Sequence, residues 1–128
     1  MKNVLSKVYH LLYQLGITAN YIGFFHTAYA VLLCAEQPEQ SLMMTKWLYP
    51  EVAKQYGTNW KAVERNIRRV NEIIWNESRP LLEELAHKHL AQKPRNAQLL
   101  SILAASLDTN SLAEHEPGSP TADKPSKR

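Results

Sequence analysis

Apolar residues recur along this chain at spacings of three and four, and no stretch alternates convincingly between apolar and polar. A 3.6-residue period buries one stripe of a helix, whereas a half-buried strand needs a period of two. The expected fold class is therefore all-α, with proline and glycine marking where its helices stop.

Val4, Leu5, Val8, Leu11, Leu12 and Leu15 form the first stripe, followed by Gly16 in the position just past a helix end. Asn20 can cap a second helix from about Tyr21 to Glu36, mostly apolar and ended by Pro38. Ser41 can cap a short helix through Met44 and Leu48. Pro50 loses nothing in a first turn, where its missing N–H would be unpaired anyway, so a break near Tyr49 and a new helix to Tyr56 are expected. Gly57 stops that helix, and Thr58 or Asn59 caps the next, which runs to Trp75 or Asn76. Ser78 with Pro80 predicts a helix from Pro80 to about Gln92, and Pro94 with Asn96 a last one through Leu107. Beyond it the residues are rich in Pro, Ser and charge and lack apolar periodicity, which predicts a disordered tail over 108–128 behind a helical domain over 1–107.

Size and composition exclude several classes. A chain of 128 residues, 45% of them hydrophobic, buries one core but hardly two. Cys34 is the only cysteine, so no internal disulfide can form and a reduced, cytoplasmic setting fits. The opening MKNVLSKVYHLLYQLG has neither the sustained apolar run nor the cleavage site of a secretory leader. The longest apolar run, around Tyr29 to Ala35, falls far short of the roughly 20 residues that cross a bilayer, so no membrane association is expected. A net charge of +3 permits a nucleic-acid partner without establishing one, and the placement of the charge matters more than its sum.

That placement is informative in PEVAKQYGTNWKAVERNIRRV, which has the layout of a helix-turn-helix: a short helix, a glycine turn, a longer helix. Ala53 is small where two helices approach, and Gly57 can take the positive φ of a sharp helix ending. At 100° per residue Val63, Ile67, Val70 and Ile74 fall in a narrow arc, opposite Lys61, Arg65, Arg68 and Glu72. Glu64 and Arg69 flank that charged stripe. Arginine matches guanine O6 and N7 bidentately and a carboxylate accepts from cytosine N4, so the stripe suits the major groove of double-stranded DNA. A solvated surface helix shows the same segregation, with Glu64 and Arg68 or Arg65 and Glu72 as plain ion pairs, and it is the attached glycine turn that favours DNA. In this reading Lys54, Thr58, Asn59, Trp60, Lys61 and Arg69 lie where phosphate and flanking contacts fall.

Other residues carry less. His87 and His89 are two apart and point to different sides of a helix, and Glu83 with His87 supplies two ligands without a third, so no metal is expected. Trp47, Trp60 and Trp75 with Tyr49 and Tyr56 could serve as a stacking platform for single strands, but core packing is the expectation for Trp47 and Trp75, with Trp60 open between packing and a phosphate contact. No Gly-rich phosphate loop, nucleophile–base spacing or carboxylate pair is visible, so neither catalytic residues nor a cofactor is expected.

The string LMMTKWLYPEVAKQYGTNWKAVERNIRRVNEIIWN closely resembles the helix-turn-helix of the sporulation initiation factor family, in its C-terminal effector domain. The resemblance extends from LGITANYIGFFHTAYAV through TKWLYPEVAK and VERNIRR to KPRNAQLLSILAASL, and TK-x-LYP-x-(I/V)AK and VER-x-IR are its most distinctive parts. It implies a bundle of about six helices without a wing that regulates transcription in sporulation and binds promoter boxes as tandem copies. By the family's motif Glu64, Arg65 and Arg68 make the base contacts. Ala62 stands where a longer polar or basic residue is common, and Arg69 where a histidine is familiar, so sequence preference is expected to depart from the family's there. Family members usually carry an N-terminal phosphoacceptor receiver domain, and here only a short helix precedes the effector, so DNA binding not gated by the chain's own phosphorylation is expected, in the cytoplasm at the nucleoid. The alternative is a protein-interaction modulator that pairs with a full-length receiver-bearing regulator. Its surface would be the apolar residues around Leu81, Leu85, Leu99 and Ile102, which equally suit an intramolecular core.

Overall fold

The structure is a computed structural model that describes residues 2–115, with side chains over 4–107. Within these residues the chain is all-helical, as its periodicity requires: α1 (Lys2–Gln14), α2 (Gly23–Glu36), α3 (Tyr49–Tyr56), α4 (Trp60–Ala86) and α5 (Asn96–His115). Five helical runs stand where about six helices were expected, and α4 itself comprises two helices that meet at the expected break: Ser78 has φ −135° and ψ 29° inside the run. Its hydroxyl does not cap a new helix. It donates to Leu15 O at 2.7 Å and ties the kink to the end of α1.

Helix α2 lies at the centre, with α5, α4, α1 and α3 packed around it. Phe24, Ala28 and Val31 of α2 meet Val8 and Leu12 of α1, Leu15 just past its end, and Leu99, Leu100 and Leu103 of α5 in one core. The apolar residues of the last two helices belong to it: Leu99 is fully buried, and Leu81, Leu85 and Ile102 are partly buried against it. Trp47 and Trp75 also pack on the core, as expected. Cys34 is buried, and burial pushes its thiol pKa up against the opposing hydrogen bond with Ser41.

Several boundaries depart from expectation, each for a local reason. Helix α2 begins at Gly23, and its N-cap is Ile22 with no side-chain cap. Asn20 instead closes a turn on Thr18, its N–H donating to Thr18 Oγ1 at 3.4 Å. Ser41 sits inside a short 3-10 turn, Gln40–Leu42, and its hydroxyl donates to Pro38 O at 2.7 Å. No break occurs near Tyr49. A π-helical turn, Met44–Leu48, runs straight into α3. Pro50 lacks the N–H for an i→i−4 bond and its ring crowds the Lys46 carbonyl, and widening the preceding turn relieves both.

Helix α4 ends at Ala86, well before Gln92, because His87 takes the left-handed conformation at φ 59° and Lys88 N–H reaches back to Glu83 O at 3.2 Å. The carboxylate of Glu83 then accepts from Leu90 N–H at 2.8 Å while Arg79 Nη2 donates to Leu90 O at 2.6 Å, which holds the returning chain and buries Leu90. Helix α5 continues to His115, past the expected end at Leu107, and the rest of the expected tail, 116–128, lies outside the described residues.

Candidate nucleic-acid interface

The helix-turn-helix forms as its chemistry dictates. Gly57 has φ 66° and ψ 40°, and Thr58 N–H donates to Ala53 O at 3.0 Å, the six-to-one bond of a left-handed helix ending. Asn59 is extended, and its Oδ1 accepts the Ala62 N–H at 2.9 Å, so Asn59 rather than Thr58 caps α4. Val63, Ile67, Val70 and Ile74 are all at most 1% exposed, and Ala53 is buried where α3 crosses them. That inner face pins α4 and leaves its opposite side outward.

A second contact fixes the height of α4 above the core. Gly23 lies so close to α4 that a Cβ there would stand 2.5 Å from Asn66 O and 2.7 Å from Val70 Cγ2. Only a residue without Cβ lets α2 approach this far. One turn further along α2 the buried His26 faces Asn66, with Nδ1 and Asn66 Nδ2 3.3 Å apart, and its ring lies 5.4 Å from that of Tyr56. Burial holds the His26 pKa below its ordinary value.

On the outward side Lys61, Arg65, Arg68 and Arg69 are exposed and Glu64 is half-buried. Arg68 Nη1 lies 3.5 Å from Glu64 Oε2 one turn back, and Arg69 Nη1 lies 4.0 Å from Glu72 Oε1, so Glu72 pairs with Arg69 rather than Arg65. Arg65 makes no ion pair among the described residues. Solvated pairs of this kind contribute about 0.3–0.5 kcal/mol, so they orient the side chains without committing them. Lys54, Thr58, Asn59 and Trp60 ring the turn and are exposed, with Lys54 Nζ 3.7 Å from Glu51 Oε2 and Lys61 Nζ 5.9 Å from the Trp60 ring centre. The predicted site residues thus lie on α4, the turn before it and, for Lys54, the last turn of α3.

Sequence reasoning missed the polar network behind this edge. Asn71, 1% exposed, donates to Pro94 O at 2.8 Å and to Asn96 Oδ1 at 3.4 Å. Asn96 Nδ2 in turn donates to the Tyr49 hydroxyl at 3.2 Å and to Glu64 O at 3.4 Å. The start of α5 is thereby tied to α3 and to the backbone of Glu64 in α4. Burial raises the Tyr49 pKa, opposed by the Asn96 bond. The available signal was a lone asparagine on the buried flank of α4, between Val70 and Ile74. Glu83 Oε2 meets His89 Nδ1 at 3.0 Å, and among the described residues no three metal-ligating side chains converge. No described helix is long and apolar enough to cross a membrane.

A cationic helix edge presented by a glycine turn, on an all-helical core with no described strand, defines the helix-turn-helix class of DNA-binding domains. Residues 8–107 match the family described as sporulation initiation factor Spo0A C terminal, and the chain belongs to that family. It is accordingly a sporulation-related DNA-binding effector domain, of a regulatory rather than an enzymatic family.

Proposed function

We propose that this chain is a sequence-specific transcriptional regulator that lays the first four turns of α4 in the major groove. Glu64, Arg65 and Arg68 read base edges, while Lys54, Thr58, Asn59, Trp60, Lys61 and Arg69 contact phosphates or flanking groups. The observation that carries the reading is the state of the arginines: both project from the outward face of a helix immobilised on its inner side, and among the described residues Arg65 makes no ion pair and Arg68 pairs with Glu64. A bidentate arginine–guanine contact discriminates by about 1–3 kcal/mol, well above what the Glu64–Arg68 pair contributes, so DNA wins the exchange.

In this reading the edge is already exposed, with no described contact that a phosphorylation would have to release, so binding proceeds without phosphorylation of the chain itself. Tandem copies on adjacent boxes are the expected assembly, following the family. Selection of bound sequences from random duplex DNA at two salt concentrations tests the reading. Enrichment of one motif at both concentrations supports it, and recovery of unrelated sequences refutes base readout.

A further inference from the structure

Beside the reading edge, and sharing Glu64 and Arg68 with it, lies a cleft of ≈ 510 Å³. One wall is α4, through Glu64, Arg68 and Asn71, a second is the segment entering α5, through Lys93, Pro94 and Arg95, and Met44, Thr45 and Tyr49 complete the lining. Lys93 and Arg95 are exposed, and Lys93 spans the gap so that Nζ lies 3.8 Å from Glu72 Oε2. Glu72 shares the outward stripe of α4 with Lys61, Arg65 and Arg68, so this ammonium stands on the face that meets DNA. The Asn71 bond to Pro94 O fixes the spacing between the two walls.

We propose that the cleft seats a phosphodiester of the DNA backbone, neutralised by Lys93 and Arg95 with Arg68 at its inner edge. The inference rests on α4 entering the major groove. That groove is about 12 Å wide and bounded by phosphates, so a side chain projecting beside the reading edge meets backbone rather than bases. Lys54 lies in the last turn of α3 and Lys61 in the first turn of α4, whereas the 93–95 segment lies along the flank of α4. Anchors at two separated points fix the rotation of the helix in the groove as well as its position. The exposed Lys93–Glu72 pair is weak and gives way to a phosphate oxygen, whose charge is complementary to Lys93 and to Arg95 together.

The test compares wild type with Lys93→Gln/Arg95→Gln on the selected duplex and on a scrambled one across a salt series. The double variant is expected to weaken both complexes alike and to lower the slope of log affinity against log salt by about 0.9, the value for one phosphate neutralised. From about 50 to 200 mM salt its affinity then changes about 3.5-fold less than the wild type's. Lys88→Gln, a charge removed from the same loop outside the cleft, keeps the wild-type slope. Duplexes with single neutral methylphosphonates locate the contact: wild type loses affinity at one position per bound copy to which the double variant is indifferent. An unchanged slope, or a changed ratio between the two duplexes, overturns the proposal. If wild type prefers no sequence yet the slope falls as stated, base readout fails and the phosphate cleft stands. If preference is present and the slope does not move, the cleft alone fails. If wild type binds no duplex, both fail.

Discussion

Gly23→Ala is expected to destabilise the fold at the joint that positions the reading helix. The new methyl carbon would lie 2.5 Å from Asn66 O, against about 3.4 Å for ordinary contact, so α2 and α4 must part by roughly 0.9 Å. Overpacking of this kind costs about 1–3 kcal/mol, and a wall of helix backbone, which no rotamer change can move, places it in the upper half of that range. Alanine returns part of the cost through its higher helix propensity, at most about 1 kcal/mol and less at a first helical residue. The net loss is about 2 kcal/mol, or about 8 °C in Tm for a domain near 100 residues. Urea unfolding followed by tryptophan fluorescence and far-UV circular dichroism measures it. Val70→Ala removes the 2.7 Å contact but leaves the carbonyl in place, so the double variant does not recover wild-type stability. Gly23→Ala within about 0.5 kcal/mol of wild type, the range of an ordinary surface change, would refute the close-approach argument.

At Gly57 no atom lies within 4 Å of an added Cβ, so Gly57→Ala pays only for φ +66°, about 1–2 kcal/mol by the same urea assay, and Gly57→Asn loses less. His26 has a pKa below its ordinary 6.5 in the folded chain because burial disfavours the imidazolium. The unfolded chain therefore protonates first, and stability that is complete above 6.5 is lost as pH falls below it; urea titrations between about pH 7 and 5 should show this slope in wild type and not in His26→Gln. Asn71→Ala strips Pro94 O and Asn96 of a buried donor and should cost about 1–3 kcal/mol, with faster amide exchange at the start of α5. Lys61→Ala should weaken binding to all duplexes and lower the salt slope by about 0.9.

The fold class and reading edge were legible because they rest on signals carried by neighbours in sequence. The 3.6-residue recurrence of Val63, Ile67, Val70 and Ile74 selects the buried side of α4, and Gly57 with Asn59 sets its start. What was not legible depends on partners far along the chain. His87 ends α4 in a conformation usually left to glycine, and the cause is Glu83 capturing Leu90 seven residues later. Asn71 acts on residues 23 and 25 positions away, and no local pattern announces that. Ser78 stands at the expected break between two helices, yet its hydroxyl donates to Leu15 O, 63 residues earlier. Lys93 is placed beside the outward face of α4 by Glu72, 21 residues earlier, which no local pattern marks.

The central claim, that Arg65 reads a base, is tested most directly by the ratio of affinities for the selected and scrambled duplexes in wild type and Arg65→Ala. A lost bidentate contact is expected to cut that ratio by about 1–3 kcal/mol, roughly 5- to 150-fold, while affinity for the scrambled duplex falls far less. Equal losses on the two duplexes would contradict the account and reduce Arg65 to a non-specific contact.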